Sequence, residues 1–283
     1  MSKVALVADS TTYLPEEYIA KYSVSVAPCM VIWGEEELRD GIDIKPDAFY
    51  ERLSTADVMP TTTQPTPADF ESIYRELLDA GKDILVVTIS HKLSGTYSSA
   101  EQAKAVFPDA KIAIIDSLTA SLATGWAIIM AARAAEHGAS LEECAAVAQK
   151  CLEQSNLFFL VDTLEFLHRG GRIGGASRFL GTALNFKPIL EVIDGRIEPL
   201  ERVRTKNKAL DRLMDIVAER ANGHEAVRIG VLHANNPEGA KDLIANLETR
   251  LSPIEAISSG VSPAIGTHVG PGTLGIAIMM GEP

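Results

Sequence analysis

Ile84-Leu85-Val86-Val87-Thr88-Ile89 runs straight into Ser90-His91-Lys92-Leu93-Ser94-Gly95-Thr96-Tyr97-Ser98-Ser99-Ala100, and the reading of the fold turns on this junction. Six apolar or β-branched residues without alternation predict a strand buried on both faces, as in the middle of a parallel sheet. The small-residue turn after it opens a helix directed towards Val106. Strand, turn and helix start together leave free N–H groups and a helix dipole pointing outward, a place that attracts anions. Ser94 reads as the helix cap, yet a cap needs one hydroxyl and the stretch Ser94–Ser99 carries five. That surplus favours a ligand site.

Upstream, Val4-Ala5-Leu6-Val7-Ala8 predicts a second buried strand, ending at Asp9-Ser10-Thr11-Thr12. Ligands gather at such strand ends, but short polar side chains there more often tie loop backbone together. The structural role is favoured for Asp9 and Ser10. Val24 to Ile32 predicts another strand, Glu35 to Asp40 a solvated acidic turn, and Pro46 to Leu53 a short helix. Thr66 as N-cap, Pro67 at the first helical position and Asp69 in the first turn announce a helix whose inner side is Phe70, Ile73, Tyr74 and Leu77. Thr61, Thr62, Thr63 and Gln64 are left over. Prolines on both sides hold them extended, so they form either a solvated loop or a row of hydroxyls cradling an anion.

Downstream, Lys111 to Ile115 predicts a strand and Leu118 to His137 an alanine-rich helix. Ser140 and Glu143 form a capping box for the helix through Leu152. This alternation predicts a three-layer α/β domain over residues 1–155 with a parallel sheet. Residues 156–283 have a different pattern. Pro188 to Ile193 and Arg196 to Val203 flank Asp194-Gly195, a strong type I′ hairpin signal. Strands at Val227 to Leu232 and Ile254 to Ile257 bracket a helix from Pro237 to Leu251. A hairpin mixed with βα units predicts an α+β domain.

Three features of this half carry possible chemistry. Gly170-Gly171-Arg172-Ile173-Gly174-Gly175 matches neither the P-loop nor the dinucleotide fingerprint; Arg172 is a candidate partner for an anionic group, with His168 and Arg169 as rim residues. Arg202, Arg204, Lys206 and Lys208 form a local basic cluster. Ile265-Gly266-Thr267-His268-Val269-Gly270-Pro271-Gly272 predicts a tight loop that presents His268 beside the apolar run from Thr273 to Met280.

Composition removes several classes. The net charge of −12 argues against a general nucleic-acid binder and against strong binding to anionic membranes. No apolar run approaches the roughly 20 residues of a membrane span. Three cysteines (Cys29, Cys144 and Cys151) do not make a disulfide framework, and no signal-peptide pattern is seen, so a cytoplasmic location is expected. No H-x-x-x-H or C-x-x-C pair supports a metal site. A serine hydrolase could be assembled from Ser94, His268 and Asp9 or Asp116, but no G-x-S-x-G elbow is present. A receptor for a carboxylate or phosphate remains, built from hydroxyls and an imidazole with apolar surface beyond.

Val7-Ala8-Asp9-Ser10-Thr11, Thr62-Thr63-Gln64-Pro65-Thr66, Leu93-Ser94-Gly95-Thr96-Tyr97, Gly170-Gly171-Arg172-Ile173 and His268-Val269-Gly270-Pro271-Gly272 resemble, in order, the motifs of the DegV family. Members of that family include the fatty-acid-binding subunits of bacterial fatty acid kinase. The resemblance implies two α/β domains with one long-chain fatty acid buried between them as the ligand, and no cofactor, metal or catalytic residue. It implies that Thr62, Ser94 and His268 hold the carboxyl group. Thr63, Gly95, Thr96 and Gly270 belong to the same ligand-binding motifs, and Arg172 or Arg204 lies at the opening. Thr63 stands where the family more usually has serine. The implied partner is a fatty acid kinase catalytic subunit that makes an acyl-phosphate for phospholipid synthesis, with at most transient membrane-surface contact. The alternative is an acyl ester hydrolase using Ser94 and His268.

Overall fold

A computed structural model describes residues 3–181 and 186–282. The chain runs β1 (Val4–Asp9), α1 (Glu16–Tyr22), β2 (Ser25–Ala27), β3 (Met30–Trp33), β4 (Glu36–Arg39), α2 (Pro46–Leu53), β5 (Thr61–Thr63), α3 (Pro67–Asp79), β6 (Asp83–Thr88), α4 (Thr96–Lys104), β7 (Ile112–Asp116), α5 (Ser121–Glu136) and α6 (Leu141–Glu153). It continues as β8 (Ser155–Leu160), α7 (Glu165–Arg169), β9 (Lys187–Ile193), β10 (Arg196–Val203), α8 (Lys206–Ala221), β11 (Val227–His233), α9 (Pro237–Leu251), β12 (Glu255–Gly260), α10 (Pro263–Val269) and β13 (Leu274–Met280).

Two sheets organise the molecule. The first is parallel, in the order β2-β1-β6-β7, and the predicted central strand lies inside it. Ile84 and Val86 point to α3 and α4, meeting Phe70, Tyr74 and Ala100. Leu85 and Val87 point the other way, towards Trp126 of α5. The second sheet is mixed, in the order β10-β9-β8-β13-β11-β12. Phe158, Leu160, Ile276 and Ile278 face α8 and α9, while Leu157, Ala277 and Met279 face α5 and α6. The parallel-sheet domain and the mixed-sheet domain therefore share α5 and α6 as a middle layer.

Helix α5 is apolar on every side, as a helix between two sheets must be. Its alanines let both sheets come near, and the approach is close enough that a Cβ on Gly230 of β11 would stand 2.9 Å from Leu122 Cδ1. The α6 capping box forms as predicted on Ser140 and Glu143, and the predicted N-cap Thr66 of α3 turns out to close a second box with Asp69. At the β9–β10 turn Asp194 and Gly195 have φ of 47° and 77°, the two positive values a type I′ turn requires.

Several expectations need correction. The predicted strand Val24 to Ile32 is two strands in different sheets: β2 joins the parallel sheet, and β3 pairs with β4 and β5 in a small antiparallel sheet. Between them Pro28 has no N–H to donate to a ladder. The acidic turn is the strand β4, and its last neighbour, Asp40, is buried rather than solvated. The alanine-rich helix starts at Ser121, after backbone at Leu118 that is left-handed (φ 49°). Gly95, not Ser94, is the N-cap of α4. The loop expected over 265–272 is largely the helix α10, capped by Ser262 with Pro263 in its first turn. Among the described residues no helix is long and apolar enough to cross a membrane, and no cluster of three or more His, Cys, Asp or Glu could hold a metal ion. Cys29, Cys144 and Cys151 are buried free thiols.

Candidate functional site

A narrow cavity lies between the two sheets. About 100 Å³ of it is open to the centre of a water molecule, several times the roughly 10–15 Å³ that one water needs. Its wall is mostly apolar: Ile89 and Leu93 come from the parallel-sheet domain, Leu157, Phe159, Val192 and Ile197 from the mixed sheet, and Ile265 and Val269 from α10. Polar side chains gather at Thr62, Thr63, Gln64, Ser94, Arg172 and His268. Thr63 and Gln64 are also exposed to solvent, so this polar end is the mouth.

Each polar group is delivered by a different element. Thr62 sits on β5, held extended by pairing with Val31 of β3. Ser94 lies in the turn after β6, and its Oγ is 2.9 Å from the buried Thr96 Oγ1. His268 is in the last turn of α10, with Nε2 2.8 Å from Thr62 Oγ1. Arg172 follows α7; its Nε donates to the Leu93 carbonyl at 3.0 Å and Nη1 to the Gly170 carbonyl at 2.8 Å. The guanidinium thus works as a strut between the mouth loops of both domains.

Burial, and secondarily the charge of Arg172, push the His268 imidazolium down to a pKa of about 4. His268 is therefore neutral at physiological pH and carries one ring proton. Nδ1 is buried without a partner among the described residues. A buried bare acceptor is better tolerated than a buried unpaired N–H, so the proton belongs on Nε2, donated to Thr62 Oγ1. The Thr62 hydroxyl proton is then free to donate into the cavity. Nδ1 faces Gly170 so closely that any Cβ there would collide with it. Gly170, two residues before Arg172, is thus required by the imidazole, a link that spacing alone did not reveal.

Of the nine residues singled out from sequence, Thr62, Thr63, Ser94, Arg172 and His268 line the cavity. Gly95, Thr96 and Gly270 do not line it but support residues that do. Gly95 lets the Gln64 amide pack against it, Thr96 bonds Ser94, and Gly270 ends α10 at φ 74° where a Cβ would strike Phe166. Arg204 is exposed and outside the lining. Sequence reasoning missed Gln64, Thr11, Cys29, Ser121 and the apolar wall. Only Gln64 had a signal, its place in the proline-bracketed run; the wall residues look like ordinary core in a strand.

Among the described residues no hydrolase triad forms around Ser94. His268 Nε2 is bonded to Thr62 and its Nδ1 to no carboxylate. Asp116 pairs with His91, and Asp9 accepts from Thr11 and from the Ile89 N–H at 2.8 Å.

The fold and the site together define a two-domain α/β protein with an apolar, polar-mouthed cavity between its sheets. The chain belongs to the DegV family: the profile described as an uncharacterised protein of the DegV family matches residues 3–280. A DegV domain-containing protein of Streptomyces coelicolor is 37% identical over 277 residues, covering 97% of this chain and 98% of that protein. Protein DegV of Bacillus subtilis is 33% identical over 274 residues, covering 96% and 98%. Among solved structures, a fatty-acid-binding DegV family protein from Thermus thermophilus matches with TM-score 0.91 and 36% identity, covering 99% of this chain and all of that one. DegV from Bacillus subtilis, described as a fatty acid binding protein, matches with TM-score 0.89 and 32% identity over 99% of this chain and 100% of that one.

Proposed function

We propose that this protein binds one long-chain fatty acid in the inter-sheet cavity and holds its carboxyl group with the hydroxyls of Thr62 and Ser94, His268 orienting the Thr62 hydroxyl. The observation that carries this is the pairing of an apolar cavity with a neutral hydroxyl–imidazole end. Each buried methylene contributes about 0.8 kcal/mol, so an acyl chain of roughly 15 contributes on the order of 12 kcal/mol before ordering costs. The chain therefore dominates affinity. The mouth has only to satisfy the head group it covers. Hydroxyl donors do so without the bidentate grip of an arginine, which leaves a carboxylate oxygen free to accept a phosphoryl group. The fatty-acid-binding relatives support the ligand class.

In the same reading a kinase catalytic subunit phosphorylates the presented carboxylate to an acyl-phosphate for phospholipid synthesis, in the bacterial cytoplasm. Arg172, at the mouth, is better placed than Arg204 to meet the added charge. We put the domain junction at residue 155, at the start of β8. The ester-hydrolase alternative is less favoured, because the hydrogen bonds of Ser94 and His268 lead away from each other. Native mass spectrometry of protein purified from a bacterial host tests the carrier: co-purified fatty acid is expected, and repeated absence of it together with no uptake of oleate or palmitate would overturn the reading.

A further inference from the structure

Asp40 is a carboxylic acid with 2% exposure that the binding chemistry above does not use. It follows β4, and a ring of hydrogen bonds closes around it. Its backbone N–H donates to the Cys29 carbonyl at 2.8 Å, the Cys29 N–H donates to Ser10 Oγ at 3.0 Å, and the Ser10 hydroxyl donates to Asp40 Oδ2 at 2.6 Å. The other side of the carboxylate faces the start of α10. The Ala264 N–H points at Oδ1 from 3.4 Å, and the nearby Ser262 hydroxyl also favours the ionised carboxyl. Ser262 in turn caps the helix by accepting from the Ile265 N–H at 3.2 Å. Ala264, Ile265 and His268 line the cavity from that helix, and Cys29 lines it from the ring.

We propose that Asp40 is the positioning residue of the head-group end: its ionised carboxylate holds the N-cap of α10 and thereby sets where His268 meets Thr62. The functional consequence rests on the fatty-acid reading above. Hydrogen bonds to a carboxylate are shorter and about twice as strong as neutral ones. A protonated Asp40 carries its own O–H and loses acceptor capacity, so one of the donors from Ser10, Ser262 or Ala264 goes unmet and α10 is held less firmly. The titratable groups acting on Asp40, or acted on by it, are Asp9 at the end of β1, Tyr13 before α1, Cys29 between β2 and β3, and Tyr50 on α2. All are acids, so none favours ionisation. Burial is the largest cause that brings the carboxyl up to about 7. The hold on α10 is thus present above neutrality and weakens as the pH falls through it, while His268 stays neutral throughout.

The test compares wild type, Asp40→Asn and Ser262→Gly between pH 6 and 8. Glycine removes the Ser262 hydroxyl where it costs a helix cap little, so one variant remains informative if the other does not fold. Three quantities are read: release of a fluorescent long-chain fatty acid, the 15N shifts of the His268 imidazole in lipid-free protein, and the melting temperature. In wild type the release rate should rise about tenfold from pH 8 to 6, the effect of losing one hydrogen bond to a charged group. The His268 shift should inflect near neutrality, well above its own ionisation. Both profiles should be flat in the variants. Melting should move the opposite way in wild type, because the burial cost of ionised Asp40 is relieved as pH falls. A wild-type His268 shift without inflection, or an inflection that survives in Asp40→Asn, would overturn the proposal. So would a release profile that keeps its slope in the variants, since that is titration of the ligand, or one that merely follows melting. Absence of lipid binding at every pH would defeat the fatty-acid reading alone, because the imidazole shift is recorded without lipid.

Discussion

His268 illustrates how one residue is specified by three others. Thr62 accepts a hydrogen bond from its Nε2–H, Gly170 leaves room for its ring, and Arg172 adds to the burial that keeps it neutral. Thr62→Val keeps the shape and deletes the hydroxyl, leaving the imidazole N–H and the bound carboxylate each short of a partner. Fatty acid affinity should fall by about 1–3 kcal/mol, or roughly 5- to 150-fold, in a displacement titration. Gly170→Ala should do the same damage without touching a polar atom, because the new methyl displaces the ring. A melting temperature lowered by Gly170→Ala and recovered in the Gly170→Ala, His268→Ala double variant would identify the clash as the cause. The pH dependence has a definite sign. The folded protein holds His268 at about 4, whereas an unfolded histidine titrates near 6.5. The unfolded chain therefore binds the proton first, so the stability contributed by the neutral imidazole is present above about pH 6.5 and lost as pH falls towards 4. An NMR titration of His268 that inflected near 6.5 in the folded protein would contradict this account.

Among elements, what could be read beforehand followed from local chemistry. Thr66-Pro67 with Asp69 made the start of α3 legible, Asp194-Gly195 the β9–β10 turn, and the unbroken run at Ile84 the central strand. The helix α10 was not legible, because Gly266, Gly270 and Gly272 together signal a loop. Gly266 is helical for a tertiary reason: a Cβ there would stand 2.5 Å from the Tyr50 hydroxyl and 3.0 Å from Phe49 Cε1, so α10 and α2 need glycine at their contact. The split between β2 and β3 was hidden likewise, since the two halves of one apolar run serve different sheets. The five polar residues that line the cavity were singled out because polar side chains in glycine- and proline-shaped turns stand out from core, whereas the cavity wall is core by every local measure. The β9–β10 turn also docks the two domains at the mouth. The Ser90 hydroxyl donates to the Gly195 carbonyl at 2.9 Å and Lys92 Nζ to the Asp194 carbonyl at 2.7 Å. Gly195→Ala places a β-carbon on a left-handed residue already pressed against Ser90 Oγ. It should cost about 1–2 kcal/mol from backbone conformation alone, measured by denaturant unfolding. Lipid release should accelerate as well, since Leu93 and Val192, on the two sides of that contact, both line the cavity.

For the whole molecule, the cavity is where both sheets and α10 meet, so a ligand bound there would touch all three at once. Stability and occupancy are then linked by mass action. A fatty acid that binds the folded chain and not the unfolded one adds about 2.7 kcal/mol at a free concentration of 100 times its Kd. Protein stripped of lipid should melt lower than protein as purified, and added palmitate or oleate should restore the difference. Chain length provides the sharper comparison. Each methylene removed gives back about 0.8 kcal/mol of burial, so octanoate, with the same carboxylate, should raise the melting temperature far less than palmitate at equal free concentration. If the two acids stabilised the protein equally, the head group would be supplying the affinity and the apolar wall between the sheets would be packing only. If neither did, the cavity would be a fold feature without a lipid. A graded response, rising with chain length until the wall is filled and then levelling off, would measure the length of the cavity directly, and the plateau would mark the acyl chain that the two sheets are spaced to enclose.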